Sequence, residues 1–328
     1  MDELIEGVRR GRRRAIARIL TRVENDELAA REIIQQLHGG TGRSHIIGLT
    51  GPPGSGKSTL TTQIAGELRR RDKTVGIIAV DPSSPFSGGA LLGDRIRMRD
   101  LSGDSGVFIR SLASRGQLGG LSAATRGMAR VLDAAGFDAI LIETVGAGQA
   151  EVDIAALAHT TLVIEAPGMG DDIQTSKAGI LEIADLLVVN KADRPTARQT
   201  VQALQMMLDL GHRHNDNRAE ASWQVPVLST VATTGEGVPA LVDRIEAHFD
   251  YLQRSGRLQE REQERAAREL EQLARQMLWR RILAEVPAAT RETLTAAVAN
   301  REMDPYSAAA ELVAAVLPQR SDFAGDDT

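Results

Sequence analysis

The stretch from Gly51 to Thr59, GPPGSGKST, follows directly on the apolar run His45 to Thr50 and constrains the fold more than any other part of the chain. An extended apolar run, a glycine-rich loop and a helix start occur in the order that G-x-x-x-x-G-K-[ST] requires, with Gly51, Gly56, Lys57 and Ser58 at its fixed positions. A backbone that wraps a polyphosphate must turn successive N–H groups into one concavity. Glycine is needed there where a Cβ would block the anion or where φ is positive, and the following helix offers its positive N-terminal end. Gly51, Pro52, Pro53, Gly54, Ser55, Gly56, Lys57, Ser58 and Thr59 are therefore the candidate phosphate-binding residues. Lys57 reaches the β and γ phosphates, and the Ser58 hydroxyl ligates Mg²⁺.

Composition narrows the alternatives. With 328 residues, 42% hydrophobic and 25% charged, the chain is long and apolar enough for one large α/β core with helical additions, and wholesale disorder is excluded. Acidic residues outnumber basic ones, 44 to 39, so no electrostatic footprint for nucleic acid exists. Without cysteine, disulfides, thiolate metal sites and cysteine nucleophiles are impossible, which leaves Mg²⁺ as the expected metal. Arg9, Arg10, Arg12, Arg13 and Arg14 are preceded by Asp2, Glu3 and Glu6, and transit peptides are poor in such acids. No stretch approaches the length of a membrane span, and a cytoplasmic location is expected.

Along the chain, Leu4, Ile5, Val8, Ile16, Ile19, Leu20, Leu28, Ile33, Ile34 and Leu37 predict amphipathic helices that stop at Gly39, Gly40 and Gly42. Apolar, β-branched runs then recur at 45–50, 74–80, 107–109, 138–143, 161–165, 185–189 and 225–229, with helical stretches between most of them. This alternation predicts an α/β fold: a mainly parallel sheet, helices on both faces, ligands at the carboxyl ends of the strands. The expected division is an N-terminal helical extension (1–42), a nucleotide-binding domain (43–250) and a C-terminal helical arm (251–328). In the arm, Leu270, Leu273 and Met277 have the spacing of a packing seam, weakly extended by Leu258 and Ile282. The seam packs within the chain or forms a homodimer, and the dimer is favoured.

Further motifs close the apolar runs. Asp81 ends the second, and the Ser/Gly/Pro-rich segment after it carries Asp94; these are two carboxylates near the expected metal, although such acids also open turns and face solvent. Glu143 ends the run 138–143, where an acid holds a metal-bound water, and Gly146 lies where a backbone N–H meets the γ-phosphate. Lys57, Asp81, Asp94 and Glu143 are the candidate catalytic residues and Ser58, Asp81, Asp94 and Glu143 the candidate metal ligands, with an ordinary strand end as the bland reading of Glu143. Asn190-Lys191-Ala192-Asp193 ends the run 185–189. The Asp193 carboxylate can accept from guanine N1–H and the exocyclic amine, whereas adenine has no donor at the equivalent ring nitrogen. The Lys191 stem covers the base, Asn190 ties loops together, and Thr230-Val231-Ala232 brings a backbone N–H to the guanine carbonyl. The polar loop 166–177, with Asp171, Asp172, Gln174 and Lys177, is a candidate switch; a solvated loop with Asp171 as a helix cap is the bland alternative.

Taken together, GPPGSGKST, AVDPSSPFSGGALLGDRIRM (79–98), ETVGAGQ (143–149), APGMGDDIQTSK (166–177) and NKAD (190–193) resemble the MeaB/ArgK family of P-loop GTPases, chaperones of adenosylcobalamin-dependent methylmalonyl-CoA mutase. The resemblance covers nearly the whole chain. It implies a slow, Mg²⁺-dependent GTPase that binds GTP and GDP and gates cofactor loading into an acyl-CoA mutase while binding no cobalamin itself. It also makes the loop from Gly168 to Lys177 the switch that touches the mutase. Val231 departs from the family, which commonly has Ser there. The competing reading is a phosphotransferase tied to amino-acid transport. It needs a second pocket and a base aimed at its acceptor, and no dedicated candidate stands out.

Overall fold

The computed structural model describes residues 1–81, 101, 103–113, 123–144, 150–168, 182–213 and 223–316. It divides into two compact units, Met1–Leu258 and Gln259–Thr328.

The first unit is built on seven strands: β1 (His45–Thr50), β2 (Val75–Asp81), β3 (Val107–Ala113), β4 (Ala139–Glu143), β5 (Thr160–Glu165), β6 (Leu186–Asn190) and β7 (Val227–Thr230). Their order across the sheet is β3-β2-β4-β1-β5-β6-β7, and every pairing is parallel. A parallel sheet needs cover on both faces, and the near-continuous burial of β4, β5 and β6 reflects that cover. On one face, Leu60, Ile64 and Leu68 of α4 (Lys57–Arg70) and Leu241, Val242 and Ile245 of α8 (Val238–Arg254) pack on Ile47, Leu49, Leu141 and Leu162.

The N-terminal helices cover the other face. Ile5 and Val8 of α1 (Asp2–Arg9), Ile16, Ile19 and Leu20 of α2 (Arg13–Asn25) and Ile33 and Leu37 of α3 (Glu27–Leu37) share a core with Ile78, Phe108, Ile140 and Ile142. Met128, Val131 and Leu132 of α5 (Ala123–Ala134) complete that layer. Asp133 fixes the approach of the chain to β1, since its carboxylate accepts from the N–H groups of Gly42 (2.5 Å), Arg43 (3.1 Å) and Ser44 (3.0 Å). α6 (Ala150–Leu157), packed on β1 and β5, and α7 (Ala197–Arg213), packed on β6 and β7, finish the cover.

In the second unit, Ile282 of α9 (Arg257–Glu285), Val286 and Val316 form a small buried cluster flanked by Leu312 and Val313 of α11 (Pro305–Ala314), and α10 (Ala288–Ala299) packs on α11. The expected seam of α9 lies outside that cluster. Leu270, Leu273 and Met277 are 70%, 47% and 54% exposed, so the described residues leave them uncovered.

A buried polar network closes the amino end of the sheet, away from the strand ends that carry the motifs. Thr160 Oγ1 lies 2.7 Å from His45 Nε2 and 2.9 Å from His248 Nδ1, and His248 Nε2 is 3.3 Å from Asp185 Oδ1. His45 also stacks on Phe249, with ring centroids 4.1 Å apart. Burial, and then the nearby His159 and His248, hold the His45 imidazole well below its ordinary pKa of 6.5, against a weaker pull from Asp185. The folded chain therefore leaves His45 neutral while the unfolded chain protonates it below pH 6.5, so stability falls as pH drops below that value. We expect a loss of at most about 1.4 kcal/mol per pH unit from this site, read by urea unfolding at about pH 7.5 and about pH 5.5. In His45→Gln that part of the pH dependence should vanish; equal pH dependence in both proteins would rule the site out as its source.

Candidate nucleotide-binding site

The carboxyl ends of β1, β4, β6 and β7 converge on residues 51–57. Gly51 has φ of 140°, and a Cβ there would lie 2.0 Å from the Ile164 carbonyl oxygen. Gly56 has φ of 92°, and its Cβ would lie 2.4 Å from Asn190 Nδ2. Both contacts exclude any side chain, so the loop curves as a bare backbone concavity that ends on the N-terminus of the 14-residue helix α4. Pro53 and Gly54 form the exposed rim beside the half-buried Pro52, and Ser55 forms the buried floor. Lys57, the first residue of α4, is 7% exposed and donates from Nζ to the carbonyls of Gly51 (2.8 Å) and Pro52 (3.0 Å). Thr59, next to Ser58, is half-buried.

Glu143 reaches this concavity from the end of β4. It is 5% exposed; its Oε1 accepts from Ser58 Oγ at 2.5 Å, and its Oε2 lies 3.2 Å from Thr61 Oγ1. The sequence-predicted pair Ser58 and Glu143 is thus in contact. Thr61 is not among the sequence-predicted residues: it stands three residues after Ser58 on α4, but nothing in the sequence pairs it with Glu143. Asp81 ends β2 in register with Ala113, and its carboxylate lies outside the described residues. Asp94, Gly146, Asp171, Asp172, Gln174 and Lys177 also lie outside them.

Asn190, at the end of β6, joins the phosphate loop to the base loop. Its Nδ2 donates to the Ser55 carbonyl (2.8 Å), and its Oδ1 accepts from the Ala232 N–H (3.1 Å) and the Thr230 hydroxyl (3.3 Å). Lys191 follows in the left-handed region, with φ of 58°, a rare conformation for a side-chain-bearing residue. Its Nζ donates to the Gly54 carbonyl at 2.7 Å, which lays the aliphatic stem across the gap between the loops. Asp193 is exposed two residues on. Val231 gives its N–H to the Glu236 carbonyl, so in 230–232 a base carbonyl would have to share the Ala232 N–H with Asn190.

These groups suit a polyphosphate and a hard divalent cation. The concavity admits no Cβ at Gly51 or Gly56, the Ser55 hydroxyl is fully buried with no hydrogen-bond partner among the described residues, and Ser58 and Glu143 supply the oxygen donors that Mg²⁺ prefers. Ser58 would ligate the cation directly and Glu143 through water.

An all-parallel sheet with this loop at the end of its central strand defines a P-loop nucleotide-binding protein, and the sequence of its base loop is of the guanine-reading kind. Residues 16–287 match the family described as Methylmalonyl Co-A mutase-associated GTPase MeaB, and the chain belongs to that family of GTPases. A relative from Pyrococcus abyssi, named as a GTPase, is 49% identical over 309 residues and matched over 94% of each chain. The Escherichia coli GTPase ArgK is 35% identical over 270 residues, 81% of each chain. The mouse protein named Methylmalonic aciduria type A homolog, mitochondrial, is 33% identical over 279 residues, 79% of this chain and 65% of its own. The crystal structure of a LAO/AO transport system kinase superposes with a TM-score of 0.69 at 25% identity, covering 95% of both chains.

Removing the Asn190 side chain strands a buried carbonyl, a hydroxyl and an N–H, each an unpaired group worth about 1–3 kcal/mol. Asn190→Ala is expected to weaken binding of a fluorescent GDP analogue by at least about tenfold. Affinity within about twofold of the parent would show that the tie does not shape the site.

Proposed function

We propose that the chain is a slow, Mg²⁺-dependent GTPase that regulates an adenosylcobalamin-dependent acyl-CoA mutase, methylmalonyl-CoA mutase first among them. It gates cofactor loading and the release of inactive cobalamin, while the cobalamin itself stays with the mutase. One observation carries the GTPase chemistry: Glu143 is fastened to Ser58 at the phosphate end, while Asn190 fastens the base loop to the same phosphate loop. The partner assignment is supported by the family description and by the names of relatives.

In this reading GTP and water yield GDP and phosphate by in-line attack on the γ-phosphorus. Bound Mg²⁺ would neutralise charge on the phosphate oxygens. Lys57 exchanges the Gly51 and Pro52 carbonyls for phosphate oxygens, and the N-terminus of α4 favours the charge that develops there. Asp81, Asp94 and Gly146 complete the metal and γ-phosphate contacts, and Asp193 reads the base. Asp171, Asp172, Gln174 and Lys177 belong to the loop that senses the mutase. The exposed seam of α9 supports a homodimer through the arm 251–328, beside an N-terminal extension (1–42) and a GTPase domain (43–250). Among the described residues no helix is long and apolar enough to cross a membrane, and the cytoplasm is the proposed site of action. The alternative, a phosphotransferase linked to amino-acid transport, is supported by the name of the structural neighbour described as a LAO/AO transport system kinase.

The reading is tested by adding purified mutase to the full chain and following phosphate release from radiolabelled GTP. Stimulation of hydrolysis, lost in Gln174→Ala or Lys177→Ala at unchanged basal GTP affinity, is the expected result. Label transferred to protein or a small molecule would favour the phosphotransferase, and absence of stimulation would remove the mutase.

A further inference from the structure

We propose that Thr61 is a positioning residue, whose hydroxyl holds the Glu143 carboxylate in orientation at the phosphate end of the site. The proposal rests on the role of Glu143 given above. Thr61 lies four residues after Lys57 and three after Ser58 on α4, so all three share one helix face. It is fully buried, and its Oγ1 lies 2.9 Å from the Lys57 carbonyl and 3.2 Å from Glu143 Oε2. A threonine hydroxyl has a single proton to give, and both the Lys57 carbonyl and Glu143 Oε2 stand within its reach.

The two oxygens of Glu143 are thus held by different hydroxyls of one helix: Oε1 by Ser58 and Oε2 by Thr61. The two hydroxyls have different duties. Ser58 stands at the fixed motif position whose oxygen is claimed by the cation, whereas Thr61 sits one turn deeper, sealed from any ligand. It reaches Oε2 from a position of its own, separate from that of Ser58. A carboxylate anchored at both oxygens has its plane fixed, and one anchored at a single oxygen can swing. Misplacing a group that orients water or a metal-bound water by about 1 Å can lower the rate by as much as about 10²-fold.

The test uses the full chain and compares Thr61→Val, which keeps the shape without the hydroxyl, with Thr61→Ser, which keeps the hydroxyl. Thr61→Val is expected to lower kcat about tenfold with KM within about twofold. It should also raise severalfold the Mg²⁺ concentration needed to tighten binding of a fluorescent GTP analogue, while its Mg²⁺-free affinity for the GDP analogue stays at the parental value. Thr61→Ser restores both. Parental turnover in Thr61→Val would overturn the proposal, and so would equal losses in the two variants, which would assign Thr61 to packing. Glu143→Gln separates this inference from its premise. If Glu143→Gln turns over like the parent, the role of Glu143 fails and Thr61 with it; if it is impaired while Thr61→Val is not, Thr61 alone fails.

Discussion

The backbone of residues 51–56 approaches the Ile164 carbonyl and the Asn190 amide so closely that no atom larger than hydrogen fits on Gly51 or Gly56. The approach is possible because β1 is paired on both sides, with β4 and with β5, and so brings the loop down between two strand ends. From that position the loop meets Glu143 on one flank and Asn190 on the other. Helix α4 then begins where its N-terminus faces the concavity. The proposed phosphate site, metal donors and base loop all depend on one narrow backbone passage.

The site is wired to change partners. Lys57 is satisfied by the loop's own carbonyls, and Ser58 by Glu143, so the ammonium that phosphate would take and the hydroxyl that a cation would take both have internal partners. Buried charge without such partners would be costly, and the substitutes keep the loop folded. Ligand binding is then an exchange of hydrogen bonds, with a net gain that comes from charge pairing and geometry. At the base loop, Asn190 and Lys191 fasten the protein to itself, through the Ser55 carbonyl, the Ala232 N–H and the Gly54 carbonyl.

Much of this was legible in the sequence. The run 45–50 is β1 to the residue, and the strands expected from 74, 138, 161, 185 and 225 begin within two residues of those positions. The third strand runs on to Ala113, beyond the predicted 107–109, because Arg110 and Ser111 interrupt the apolar pattern while their backbones still pair with β2; Arg110 is accommodated by an ion pair with Glu24. Asn190 as the tie between loops followed from the motif. Other features depend on chain partners far away in sequence. Periodicity shows that α1, α2 and α3 have apolar stripes, but not that these stripes roof a sheet face with Ile140 and Phe108. The polar network of His45, Thr160, Asp185 and His248 has no signature, since its members come from separate stretches of the chain. Thr61 lies one turn past the phosphate-binding motif, and its partner Glu143 is 82 residues away, a pairing that only the fold reveals.

In the proposed reading, the nucleotide preference of the site depends on the loop held by Asn190 reading guanine through Asp193. Competition binding of GTP, XTP and ATP to the parent and to Asp193→Asn tests this most directly. An amide can pair with the carbonyl that xanthine carries in place of guanine's amine, and mismatched hydrogen-bonding sites discriminate by up to about 10⁴-fold. The parent is predicted to prefer GTP and Asp193→Asn to shift its preference to XTP, with ATP poor in both. A variant that still bound GTP over XTP would contradict the assignment.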